Sequence, residues 1–103
     1  MTVATPVVQA RATKPRLVFF TSSVSGHCRR VEGFLAQVLQ RRRNHATFQM
    51  IVVDRDERPD LVARFAVADL PTLVVVEEHE VRARLVRPRG CRQIEEFLSP
   101  WLR

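Results

Sequence analysis

Ser25-Gly26-His27-Cys28 sets a hydroxyl and a thiol one helical turn apart, between an apolar run, Leu17 to Phe20, and the start of a helical pattern. A thiol at the start of a helix suits disulfide chemistry, because the positive end of the helix dipole favours the thiolate that attacks sulfur. Exchange that turns over needs a second thiol to resolve the mixed disulfide. Ser25, three residues before Cys28, supplies no such thiol, because a hydroxyl oxygen forms no exchangeable bond with sulfur. Serine is also a favoured helix N-cap, worth about 1 kcal/mol, and that is the simpler reading of Ser25. Cys28 is then a lone thiol. Val31 and Leu35 share its helical face, which points it toward the core as a small inert hydrophobe. The chemical alternative is one reversible bond: to glutathione, as a persulfide, or to a single partner in a mixed disulfide.

Few other residues compete. Cys91, in Arg89-Gly90-Cys91-Arg92, opens the last helical pattern and reads as an incidental surface cysteine. Two cysteines allow one 28–91 bridge but no disulfide framework, so nothing points to an oxidising compartment and the cytoplasm is the expected location. His45 and His79 fall in turns, and no His/Cys spacing suggests zinc, so neither metal nor cofactor is expected. Asp54, Asp56, Glu57 and Asp60 read as turn and cap residues rather than a cation site. The chain has no phosphate loop and no nucleophile–base motif.

At 103 residues and 46% hydrophobic content, the sequence suits one small domain with its own core. No apolar run approaches the ~18 residues of a membrane span. The start of the chain lacks the charged and apolar regions of a secretory signal; its basic, acid-free residues 1–31 have a faint transit-peptide character, outweighed by the strand that begins within them. The net charge is +6, carried by arginine at every basic position except Lys14. An anionic partner is one reading of that charge, through Arg82, Arg84, Arg87, Arg89 and Arg92; a solvated surface is the plainer one, and nucleic-acid binding is not expected.

Residues 1–15 read as an extended or mobile tail and 16–103 as the domain. Residues 16–21 form a short strand around the continuous apolar run Leu17 to Phe20. Val31, Phe34, Leu35, Val38 and Leu39 repeat at helical spacing, with Arg41, Arg42 and Arg43 closing that helix. Phe48 to Val53 is a second buried strand, and Leu61, Val62 and Phe65 mark a short helix. Leu73–Val76 and Val81–Val86 follow as strands. In the latter Val81, Ala83 and Leu85 alternate with Arg82 and Arg84, as on an edge strand with one wet face. Ile94, Phe97, Leu98 and Trp101 make a final amphipathic helix. The two strand–helix crossovers predict parallel pairing, and the 77–80 link predicts a terminal hairpin.

This order resembles the thioredoxin superfamily over roughly residues 16–102, on Leu17-Val18-Phe19-Phe20, Asp56-Glu57-Arg58-Pro59, Phe65 with Val67, Leu70-Pro71-Thr72-Leu73 and Arg92 to Leu98. The resemblance implies an α/β, thioredoxin-like fold: a four-stranded mixed sheet flanked by three helices, in the order strand-helix-strand-helix-strand-strand-helix. It implies a cis bond before Pro71, and a groove in which Gly26, Leu70, Pro71, Thr72 and Arg87 meet an extended protein or peptide segment. Ser25-Gly26-His27-Cys28 is similar to the Cys-Gly-His-Cys of protein disulfide isomerases, with Ser25, His27 and Cys28 at the reacting positions. The chain departs from the family in telling places. Val24 replaces an aromatic residue, Phe19 a buried carboxylate, Gly33 a proline, Arg87 a glycine, and Glu78-His79 an Asn-Gly turn. The expectation is a monomeric protein of the thiol–disulfide exchange class with weak or one-cysteine chemistry through Cys28, partnered by a protein or by glutathione. The alternative is a binding module that keeps the groove and no catalysis.

Overall fold

The computed structural model describes residues 14–41 and 46–102. The tail expected over 1–15 lies almost wholly outside that range. Seven elements follow one another: β1 (Arg16–Thr21), α1 (Gly26–Gln40), β2 (Gln49–Asp54), α2 (Pro59–Arg64), β3 (Thr72–Glu77), β4 (Glu80–Val86) and α3 (Cys91–Leu98). The strands form one mixed sheet in the order β2-β1-β3-β4.

Only one crossover gives the expected parallel pair. β1 runs parallel to β2, but β3 runs antiparallel to β1. Helix length explains the difference. The 15 residues of α1 span about 22 Å, enough to carry the chain back along a strand of about 20 Å. The 6 residues of α2 span only about 9 Å, so β3 enters the sheet from the end at which β2 leaves it.

Alternation across the sheet makes two cores. Leu17, Phe19, Leu73 and Val75 face α1 and α3, against Val31, Leu35, Val38, Ile94 and Leu98. Val18, Phe20, Val53, Val74 and Val76 face α2, with Phe20 and Phe65 ring centroids 5.3 Å apart. The central strands β1 and β3 are buried on both faces. β2 is not the buried strand that its composition suggests: at the sheet edge, Met50 and Val52 are 39% and 57% exposed. α1 stops at Gln40; Arg41 is extended at its C-cap and pairs with Glu95 of α3 at 3.1 Å. Arg42 and Arg43 lie outside the described residues.

The simple alternation expected in β4 fails at a bulge. Leu85 and Ala83 pair with Leu73 and Val75, but Val81 pairs with Val76, leaving Arg82 as the extra residue. Val81 therefore shares the α2 side of the sheet and is 49% exposed. The arginines do more than guard an edge. Arg84 donates to the carbonyls of Phe65 and Ala66, at 2.6 and 3.4 Å, and so satisfies the C-terminal end of α2. Arg82 pairs with Glu80 and Glu77 at 3.3 and 3.6 Å.

The β3–β4 turn carries its own strain. Glu78 and His79 sit at φ 51° and 70°, the left-handed conformation that Asn-Gly adopts without a Cβ penalty. Replacing Glu78-His79 by Asn-Gly is expected to stabilise the fold by about 1–2 kcal/mol. A urea midpoint that fails to rise would show that the turn's side chains repay their strain.

Candidate functional site

Three loops converge at the end of the sheet where β1 leaves and β3 enters. The 22–25 turn closes with the Ser25 N–H donating to the Ser22 carbonyl at 3.2 Å. Ser25 is the N-cap of α1, and its hydroxyl accepts the Cys28 N–H at 3.2 Å. The reading of Ser25 as a cap is thus met in geometry: the oxygen at the attacking position is engaged by the backbone. Gly26 begins the helix; a Cβ there would meet nothing nearer than Arg30 Nη1 at 3.8 Å, so space does not demand glycine. Cys28 follows on the inner face and is 1% exposed. Phe19, where the resemblance places a carboxylate, is likewise 1% exposed among apolar neighbours.

The Leu70–Pro71 bond is cis. Thr72 is buried and its hydroxyl donates to the Asp69 carbonyl at 2.7 Å, which ties the loop to the start of β3. Among the described residues no backbone hydrogen bond uses the Leu70 N–H or C=O. The two remain open to a chain laid alongside. The Pro71 carbonyl accepts from the Arg87 N–H at 2.8 Å, so Arg87 sits beside the proline at the end of β4. Arg87 has φ 51°, the left-handed region, at the position where the resemblance has glycine.

An open cavity of about 440 Å³ lies between Ser22, Val24 and Ser25 on one side and Val67, Asp69 and Leu70 on the other. Val24 is 82% exposed at its lip, an apolar residue left uncovered. Ser22 is the residue that sequence reading passed over. It is 4% exposed, and its hydroxyl has no partner among the described residues. Such a group costs about 1–3 kcal/mol until something bonds it. The run Thr21-Ser22-Ser23 at a strand end was the only trace of it in the sequence.

His27 has a structural partner. Its Nε2–H donates to the Pro88 carbonyl at 3.0 Å and ties the start of α1 to the segment before α3. It is half-buried rather than a free surface residue. Cys91 is also half-buried, its thiol donating to Gln37 Oε1 at 3.1 Å on α1. Cys28 and Cys91 are both free thiols, and the 28–91 bridge left open by the sequence is not formed. The acids of the 54–60 segment are turn residues: Asp54 Oδ1 accepts the Asp56 N–H at 2.8 Å. The α2 N-cap, however, is Arg58, and its hydrogen bond holds the Asp60 carboxyl below the usual carboxylate range. No helix among the described residues is long and apolar enough to cross a membrane.

The Thioredoxin family model matches residues 5–100. The chain is 28% identical over 88 residues to a thioredoxin of Mycolicibacterium smegmatis, covering 85% of this chain and 79% of that protein. The same identity over 88 residues relates it to a bifunctional thioredoxin reductase/thioredoxin of Mycobacterium leprae, of whose length it spans only 19%. Among solved structures it is similar to Trxlp from Edwardsiella tarda, with a TM-score of 0.75, 17% identity and coverage of 92% and 94% of the two chains. It is similar also to the germline-specific thioredoxin Deadhead of Drosophila melanogaster, with a TM-score of 0.75, 17% identity and coverage of 93% and 89%.

Proposed function

The chain belongs to the thioredoxin family, and on that premise we propose that it engages an extended segment of a protein partner beside Leu70 and Pro71 and confines its redox chemistry to one thiol, Cys28. The observation that carries this reading is the division of roles across one helical turn. Ser25 holds the attacking position and caps the helix, while the only thiol of the motif lies buried behind it. The open backbone of Leu70 and the exposed Val24 supply what an extended segment needs: a strand edge and an apolar contact.

The chemistry open to Cys28 is a single exchange. Its sulfur, having lost its proton to solvent, attacks a partner's disulfide and forms a Cys28–partner S–S bond. The displaced partner sulfur leaves as thiolate and takes a proton. Cys28 is oxidised and the leaving sulfur reduced. Ser25 cannot resolve the product, so release requires an outside thiol such as glutathione.

The burial of Cys28 favours one second reading, the binding module without redox chemistry. One measurement separates them. A Cys91→Ser variant is incubated with a small disulfide in native buffer and in denaturant, then weighed by mass spectrometry. A stable one-to-one adduct on native Cys28 is expected from the one-thiol reading. Labelling only in denaturant would discard that reading in favour of the binding module.

A further inference from the structure

The groove has a second cavity on its other side, of about 650 Å³, lined by His27, Val86, Arg87, Arg89 and Gln93. It adjoins the proline loop through Arg87, whose N–H bonds the Pro71 carbonyl. Its polar groups have one character. The Arg87 and Arg89 guanidiniums have no ion-pair or hydrogen-bond partner among the described residues. Gln93 has already used its oxygen, which accepts the Arg89 N–H at 2.8 Å, so its amide NH2 is what remains. His27 is oriented by its bond to Pro88. No carboxylate lines this cavity. Two guanidiniums and an amide donor with no carboxylate beside them favour a ligand rich in hydrogen-bond acceptors. The other arginines of the 82–92 series differ: Arg82, Arg84 and Arg92 are engaged by Glu77 and Glu80, by carbonyls, and by Glu96.

Arg87 strengthens the case. It holds a left-handed φ of 51° that a glycine would adopt freely. An L-residue there costs about 1–2 kcal/mol, so an arginine is kept at this position against a local penalty. The opposite cavity carries Asp69 together with Arg55, whose guanidinium pairs with Asp56 at 3.6 Å, so it lacks this excess of free donors and the two sides of the groove differ in character.

We infer, resting on the groove reading above, that the partner segment is an acidic extended peptide whose carboxylates enter the Arg87–Arg89–Gln93 cavity on one side of Pro71. A peptide fits better than a nucleic acid because the adjoining feature is an unpaired backbone edge at Leu70, which a peptide strand can complete and a phosphodiester chain cannot. The asymmetry across Pro71 makes the order of residues matter as well as their charge.

The test uses the whole chain and dye-labelled peptides followed by fluorescence anisotropy. Two peptides carry glutamates either before or after a central valine, and two counterparts carry glutamine in their place. The better acidic peptide is expected to bind about tenfold tighter than its glutamine counterpart, within what two exposed charge pairs supply. Arg87→Gln with Arg89→Gln should erase that preference, so that the variant binds acidic and neutral peptides alike, and Arg87→Lys with Arg89→Lys should restore part of it. Both variants keep an L-residue at position 87, so the turn is equally strained in each. Equal binding of acidic and neutral peptides would overturn the acid preference and leave the groove standing; no binding of either would overturn both. Full displacement by glutathione alone would assign the carboxylates to that small thiol instead of a protein. Tighter, Arg87-dependent binding of a single-stranded oligonucleotide would assign the cavity to phosphate.

Discussion

Ser25→Cys is expected to convert a chain with no measurable dithiol turnover into one that accelerates reduction of a protein disulfide by dithiothreitol by at least about tenfold over background. The unmodified chain should match the uncatalysed rate. The new thiol would stand at the N-cap of α1, half-exposed beside the Leu70–Pro71 loop, with Cys28 one turn behind it as the resolving group. The helix terminus favours its thiolate. The gain is bounded by what β1 lacks. Phe19 occupies the place from which a buried carboxylate would accept the proton of Cys28, so resolution stays slow. The substitution also removes a serine cap, at a stability cost of about 1 kcal/mol. Ser25→Cys combined with Cys28→Ala should trap a mixed disulfide and fail to turn over. Turnover by the unmodified chain that survives Cys28→Ala would place the chemistry elsewhere in the molecule.

Phe19→Asp, the change that restores the family's buried acid, is expected to unfold most of the protein at neutral pH. Phe19 is 1% exposed and packs with Leu17, Val31, Leu35 and Leu73. Removing its ring costs about 3–5 kcal/mol as Phe19→Ala, through lost burial and the cavity left behind. An ionised carboxylate adds the cost of a buried charge with no partner in an apolar cluster. Against a total stability of about 5–15 kcal/mol that sum exceeds what a domain of this size can lose. The pH dependence fixes the cause. Burial raises the folded pKa of the new carboxyl above its unfolded value near ~3.9, so the variant gains stability as pH falls and loses it as pH rises through the folded pKa. Phe19→Ala should show no such dependence. Equal urea midpoints for the two variants at neutral pH would mean that water reaches position 19.

These two substitutions show where the site was legible. Ser25 and Cys28 announce themselves because each is a residue type at a spacing that chemistry depends on: a thiol one turn into a helix and a hydroxyl before it. Phe19 and Leu70-Pro71-Thr72 were legible only through the resemblance, which places a buried carboxylate at the one and a cis-proline loop at the other. Ser22 was not. Serine is common in turns, and only burial without a partner sets its hydroxyl apart. Arg87 and Arg89 stood in the sequence as members of a basic series with Arg82, Arg84 and Arg92. What separates them is which guanidiniums find a carboxylate or a carbonyl, and that depends on contacts distant in the chain, such as Arg84 with Phe65.

By itself, the sequence determined the element order, the inward-facing residues of α1, α3, β1 and β3 and the absence of a second thiol in the motif, because hydrophobic period and residue chemistry are local properties. Tertiary structure decided the rest. The short α2 brought β3 in antiparallel to β1, a question of the distance the chain must span. The edge position of β2 exposed Met50 and Val52, since a strand's burial depends on its neighbours as well as its composition. The bulge in β4 moved Val81 to the other face, because one extra residue shifts a period of two. The bond from His27 to Pro88 and the one from Arg87 to Pro71 join α1, β4 and the proline loop into one groove. No local pattern encodes that closure, because it joins residues that meet only when the sheet is assembled.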